Sequence, residues 1–336
     1  MSSPLADGMR AIQIRTLDGP SAVVPVDVPE PEAADQVVVD VQFAGVSFPE
    51  LLQTRGEYQI KPELPYVPGS EVAGVVRSAP DDAHVRPGDR VAAFPSVGGF
   101  AERVAVMPQA VFPLPDSVSF QAAAALPMNY FTVHFALTRR SRLREGETVL
   151  VQGAAGGLGT AAVQMARALG ARVIAVTSSP EKGDAARAAG AHEVVDAADF
   201  RAQVAALTGG RGVDLVVDPV GGDRFTDSLR SLAQEGQLLV LGFAAGEIPT
   251  VKVNRLLLNN TAVVGVGWGA FWSRSPEYLQ EQWRDLLPLV ESGRLDPLLS
   301  AVYPLEEAAR ALAELDERRA RGKVLLAVGG DSAQAG

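Results

Sequence analysis

The sequence predicts an α/β chain: a doubly wound parallel sheet joined to a second, mostly β domain. Three observations carry this. The 336 residues are enough for two domains that each bury a core. Before about Asp116, short β-rich runs are separated by Pro, Gly and Asp, whereas from about Glu147 apolar strands alternate with amphipathic helices. The first of those later strands leads into a glycine-rich turn, "AAGGLG", with a helical pattern directly behind it.

In the first half "AIQIRT", "QVVVDVQFAGV", "EVAGVVRSA", "RVAAFP" and "FAERVAV" read as strands. In the second half the strands "TVLVQG", "RVIAVTS", "HEVVDA", "VDLVVDPV" and "QLLVLGF" alternate with the helices "LGTAAVQMARALG", "EKGDAARAAG", "FRAQVAALTG" and "RFTDSLRSLA". Such alternation predicts a parallel sheet covered by helices on both faces. "TAVVGVGW" follows as a last strand. A helix over about 276–292, the segment "AVYPLEEAARALAELDERR" and the strand "GKVLLAV" have no place in a six-stranded doubly wound sheet and are assigned back to the first domain. The expected domains are therefore 1–125 with 269–336, and 126–268. The residues before Met9 read as a disordered lead.

Composition narrows the partners. Thirty Lys and Arg against 40 Asp and Glu give a formal charge of -10, so neither nucleic acid nor an anionic membrane surface is expected. The absence of cysteine excludes disulfides, thiol catalysts and thiolate metal sites, and fits a reducing compartment. The start, "MSSPLADGMRAIQI", lacks a signal-peptide layout, and the apolar stretch "LLLNNTAVVGVGWGAF" is interrupted by Asn259 and Asn260, so a cytoplasmic protein is expected. His84, His134 and His192 are scattered and show no ligand spacing, so no metal is expected.

The turn reads A-x-G-x-x-G, with Ala154 replacing the first glycine of the dinucleotide fingerprint. Gly156 would let the backbone approach a pyrophosphate, and Gly159 would let the helix pack closely on the sheet. The amides of Ala155, Gly156, Gly157, Leu158 and Gly159, at the positive end of that helix, would face the phosphates. Taken alone the pattern also fits a turn that binds nothing; the strands that follow favour the cofactor. At the end of the next strand an NAD site usually carries Asp or Glu. Here the chain reads "VTSSPEK": Thr177, Ser178 and Ser179 are uncharged and Lys182 is cationic, which favours NADPH over NADH. Lys182 equally fits a solvated position in a helix's first turn.

At these residues, and through "VSFPELLQTRGEYQIKPELPYVPGSEVAGVV", "RPGDRVAAF", "GGFAERVAV", "AAALPMNYFTVHFAL", "VDLVVDPVGG", "YPLEEAARAL" and "RGKVLL", the chain resembles the medium-chain dehydrogenase/reductase superfamily. Within it the resemblance is to the zinc-free quinone oxidoreductases related to zeta-crystallin, and it runs from about Met9 to Val328. It implies a GroES-like catalytic domain beside a Rossmann domain. NADPH would lie in the cleft between them and a quinone or enone would take the hydride. Ser70, in "GSEVAG", stands where zinc relatives have histidine. Without a Lewis acid, hydride needs an acceptor that delocalises the charge itself.

The resemblance also places Tyr58 near the nicotinamide as the group that bonds the substrate oxygen or delivers a proton. Ser47 stands where an asparagine is usual. Asn129 and Thr132 are implied on the linking helix at the cofactor, Gly242 and Phe243 beside the nicotinamide, and Lys323 near the adenosine phosphate. Asp196 and Ala197 replace a segment that carries a tyrosine near the 2'-phosphate in relatives. Read without the resemblance, Tyr58 is a rim aromatic, Asn129 and Thr132 a cap and a buried hydroxyl, Gly242 and Phe243 a strand-ending turn, and Lys323 a solvated strand flank. The strand "TAVVGVGW", last in its sheet, would be covered in a homodimer, the usual contact in the superfamily. Two other functions fit the same scaffold: an NADPH-dependent enoyl-thioester reductase, and a nucleotide-binding protein with a structural or regulatory role.

Overall fold

The computed structural model describes residues 8–31 and 34–329. The lead before Met9 lies outside these, apart from Gly8. The chain divides into two units. One reaches to Met128 and takes in Leu279–Trp283 and everything described from Leu299 on; the other is Asn129–Tyr278 with Arg284–Leu298.

In the first unit β1 (Gly8–Ile14) and β2 (Val23–Pro29) pair antiparallel. The strand β2 was not predicted because it contains Pro25 and Pro29; it has β1 as its one strand partner, and an edge strand tolerates proline. The remaining early strands are β3 (Val37–Val46), β4 (Val72–Ser78), β5 (Arg90–Ala93), β6 (Arg103–Val106) and the three-residue β7 (Val111–Pro113), too short for a sequence pattern to reveal.

In the second unit the apolar runs form β8 (Thr148–Val151), β9 (Arg172–Thr177), β10 (Glu193–Asp196), β11 (Val213–Asp218), β12 (Leu232–Val240) and β13 (Ala262–Gly265). All pair parallel, in the order β10-β9-β8-β11-β12-β13. This is the doubly wound Rossmann order. Every residue of β8 is buried, as a central parallel strand requires. On one face Leu150, Ile174, Val216 and Leu238 pack with Phe200, Phe225 and Leu229 from the crossover helices. No helix among the described residues is long and apolar enough to cross a membrane.

The last strands, β14 (Leu299–Pro304) and β15 (Lys323–Ala327), complete a seven-stranded sheet in the first unit, in which β14-β15-β3-β4-β5-β7 are neighbours and β6 pairs with β3. The expected boundary at 269 is corrected. Residues up to Tyr278 stay with the second unit because Phe271 and Tyr278 pack on Phe135, with Arg139 over both rings. Residues 284–298 stay there too. Gln164 donates to the Asp296 carbonyl at 2.5 Å and accepts from the Asp296 amide at 3.0 Å and from the Tyr130 hydroxyl at 2.6 Å. Only Leu279–Trp283 of the helix Tyr278–Glu291 group with the first unit, where Trp283 packs on Phe112.

Candidate active site

In the second unit the chain leaves β8 at Val151 and enters the helix Gly157–Ala168 with Gly156 as its N-cap. A Cβ on residue 159 would lie 2.2 Å from the Gly153 carbonyl oxygen and 2.7 Å from the Ala154 Cα, so only glycine lets the helix sit this close to the turn. At Gly156 the nearest atom to an added Cβ is the Gly153 oxygen at 3.7 Å, which leaves the open backbone a pyrophosphate needs. Ala155 is buried; Gly157 and Leu158 are half-buried in the first helical turn. The sheet order reverses between β8 and β11, so the turn stands at the switch point where doubly wound sheets bind ligands.

Other sequence-predicted residues lie along the same C-terminal edge of this sheet. Thr177, buried, ends β9. Ser179 caps the helix Pro180–Ala188 by accepting from the Lys182 amide at 3.4 Å, and the Lys182 ammonium lies 3.5 Å from the exposed Ser178 hydroxyl. Beyond β12, Gly242 lies against the Pro219 carbonyl and Phe243, 37% exposed, packs beside Gly221. The sequence reading missed Asp218, which is buried at the end of β11 and accepts from the Val220 and Gly221 amides, each at 2.9 Å. Burial raises its pKa while those two bonds oppose the shift. Asn129, buried, and Thr132, half-buried, lie on the helix Pro127–His134.

In the first unit Ser47 follows β3 and caps the helix Phe48–Gln53. Its amide donates to Glu50 Oε2 at 2.9 Å, half of a capping box. Glu50 Oε1 accepts from the Ser70 amide at 2.9 Å and the Ser70 hydroxyl at 2.5 Å. The Ser47 hydroxyl donates to Glu71 Oε1 at 2.9 Å, and the Met128 amide donates to Glu71 Oε2 at 2.8 Å. The ammonium of Lys323 bonds both the Ser47 hydroxyl and Glu71. All five side chains of this cluster are buried.

Lys323 therefore corrects one expectation. It is not a solvated strand flank: it is buried, and its ammonium bonds a carboxylate inside its own unit. The cause is register: β15 runs antiparallel to β3 with Val324 opposite Val46, which sets Lys323 across from Ser47. Glu50, Ser70 and Glu71 were not singled out as site residues. Two signals were readable: the S-x-x-E spacing of Ser47 and Glu50, and the carboxylate in the apolar run "YVPGSEVAGVV".

Burial pushes the Glu50 carboxyl up to about 6, against the pull of Ser70 and Lys323. Burial, then the charge of Glu50, raises the phenol of the half-buried Tyr58, so it stays protonated at neutral pH. A carboxyl whose folded pKa is raised contributes stability that is fully present below its unfolded pKa, 4.5, and lost as pH rises through about 6. Glu50→Gln removes that titration. From pH 4 to 7 the wild type should lose about 2 kcal/mol of unfolding free energy relative to the variant. Urea unfolding at both pH values checks this, and a constant difference would refute it.

Comparisons with known proteins agree with this geometry. A family model described as the alcohol dehydrogenase GroES-like domain matches residues 33–116, and one described as zinc-binding dehydrogenase matches residues 157–292. The bovine (Bos taurus) quinone oxidoreductase-like protein 2 is 38% identical over 304 residues, 89% of this chain and 87% of the relative. This chain belongs to the zinc-free quinone oxidoreductase family. Among solved structures, a probable oxidoreductase from Mycobacterium abscessus is 48% identical, with a TM-score of 0.88 over 95% of this chain and 99% of that one. The Thermus thermophilus quinone oxidoreductase, solved alone and with NADPH, is 39% identical, with a TM-score of 0.82 over 95% and 100%.

One of the matching models names zinc, yet the donors present in this chain do not fit the metal. The chain has no cysteine, Ser47 and Ser70 offer only hydroxyls, and Glu71 already holds an ammonium. Among the described residues no three His, Cys, Asp or Glu are grouped to hold an ion.

Proposed function

We propose that the chain is an NADPH-dependent, zinc-independent reductase that passes hydride to a quinone or related enone. The observation that carries this reading is the glycine turn at the sheet's switch point, with uncharged Ser178 and cationic Lys182 where an NAD site needs a carboxylate. The NADPH complex of the Thermus thermophilus relative and the names of the curated relatives support it.

When bound, NADPH supplies a hydride. The amides of Ala155 to Gly159 hold the diphosphate at the positive end of the helix Gly157–Ala168. Ser178 and Lys182 would donate to the 2'-phosphate, with Thr177 and Ser179 shaping the end of β9. Asn129, Thr132, Gly242 and Phe243 contact the nicotinamide side. Tyr58, kept protonated, donates to the substrate oxygen that gains charge. Its raised pKa makes it a better hydrogen-bond donor than proton source. With a donor set that fits no Lewis acid, the substrate must delocalise the incoming electron pair, as quinones and enones do. The acidic, cysteine-free chain suits the cytoplasm.

Stopped-flow oxidation of NADPH and NADH with 1,4-benzoquinone, 9,10-phenanthrenequinone and crotonyl-CoA tests the reading. Quinones should consume NADPH about tenfold faster than NADH, the worth of one charge-assisted contact to the 2'-phosphate. Turnover of crotonyl-CoA alone would replace the reading with an enoyl-thioester reductase. Cofactor binding without turnover would favour a structural or regulatory protein.

We also propose a homodimer. The strand β13 ends its sheet with one neighbour, and beside it in sequence Ile248, Val253, Leu257 and Leu258 are 70 to 77% exposed. A second copy that extends the sheet would bury these side chains, each worth about 1.5–3 kcal/mol when fully covered. The double variant Leu257→Asp, Leu258→Asp should sediment as a monomer while the wild type sediments as a dimer. A monomeric wild type would end the proposal.

A further inference from the structure

The first-unit cluster contains more than a capped helix and an ion pair, and the hydrogen-bond inventory of Ser47 shows why. A serine hydroxyl has one hydrogen and two lone pairs. Lys323 donates to one lone pair. The Ser47 hydrogen, directed at Glu71 Oε1, is the part that can be redirected.

Glu71 does not depend on that hydrogen. Its Oε1 keeps the Lys323 ammonium and its Oε2 keeps the Met128 amide, so turning the hydroxyl away leaves no buried acceptor unpaired. The bond from Lys323 also polarises the Ser47 oxygen and strengthens the O–H as a donor. Space for the arrangement is built in: a Cβ on Gly45 would come within 2.6 Å of the Glu71 Cγ and of the Ala124 carbonyl, so glycine is required for Glu71 to sit there.

Resting on the functional reading above, we infer that Lys323 and Glu71 are positioning residues for Ser47: they hold its hydroxyl polarised and let its hydrogen turn from Glu71 to the substrate oxygen as that oxygen gains charge. No bond to carbon or oxygen is made or broken in this step; one hydrogen bond is exchanged for another. Tyr58 and Ser47 then supply two donors to the same developing charge.

The test is a cycle among Ser47→Ala, the charge-neutral pair Lys323→Met with Glu71→Gln, and the triple variant, with kcat and KM for 9,10-phenanthrenequinone and the NADPH dissociation constant measured in each. Ser47→Ala and the paired variant should each lower kcat about tenfold, the worth of one bond to a developing charge, with NADPH affinity unchanged. The triple variant should lose no more than either. A measurement on the wild type removes any dependence on how the variants fold. The Lys323 ammonium resonance in a 15N NMR spectrum should shift when NADP+ and, without oxygen, 9,10-phenanthrenehydroquinone, the product whose oxygen carries the added electron pair, are added together, but not with NADP+ alone. A wild type that leaves quinones unreduced defeats the functional reading and this inference with it. A wild type that reduces them, while the losses multiply, the paired variant keeps full kcat or the resonance stays in place, overturns this inference alone.

Discussion

Replacing Gly159 by valine will abolish NADPH binding and cost about 3 kcal/mol or more of stability, because overpacking against backbone has no flexible neighbour to absorb it. The added Cβ would lie 2.2 Å from the Gly153 oxygen and 2.7 Å from the Ala154 Cα. Neither atom can move without lifting the helix Gly157–Ala168 off the end of β8, which would carry the phosphate-facing amides away with it. Gly156→Ala is the contrasting case. Its Cβ meets nothing nearer than 3.7 Å, so the fold should melt as the wild type does while the cofactor, whose path the methyl blocks, binds more weakly. Thermal unfolding and fluorescence titration with NADPH separate the two. A Gly159→Val protein that binds normally, or a Gly156→Ala protein that loses stability, would show that the turn is held differently.

Lys323→Met on its own should cost about 3–5 kcal/mol, the usual effect of leaving one member of a buried ion pair without its partner. Glu71 is fully buried, and with the ammonium gone its Oε1 keeps only the Ser47 hydroxyl. Adding Glu71→Gln removes the stranded charge and should restore most of the loss. Guanidinium unfolding of the two proteins at pH 7 measures this directly. Equal destabilisation in both would mean that Lys323 matters through its packing along β15 and not through its charge.

The second unit was the more legible half. Its period and turn are local properties: each strand is a short β-branched run, and each helix carries its own amphipathic pattern between Gly and Pro boundaries. Of the first unit's strands, β2 was hidden by its prolines and β7 by its length. The boundary at 269 failed because the rings of Phe271 and Tyr278 meet Phe135 far back in the chain, a contact no window of sequence contains. The site divides in the same way. The residues of the glycine turn and of "VTSS" could be placed from their spacing, and Ser47 with Glu50 from a three-residue interval. The pairing of Lys323 with Glu71 spans 252 positions and exists only because β15 lies beside β3.

That neighbourhood sets an order of assembly. Among the described strands β15 is the last to be synthesised, and β3 is among the first. As the chain leaves the ribosome, the second unit has all six of its strands by Gly265, while the first still waits for its closing pair. Until residues 323–327 arrive, the Phe43–Val46 end of β3 lacks a partner on the edge where β6 covers Val37–Asp40, and Glu71 has no cation. The earliest domain begun is therefore the last one finished, and a chain cut short before Lys323 would release an intact nucleotide-binding half attached to an open sheet.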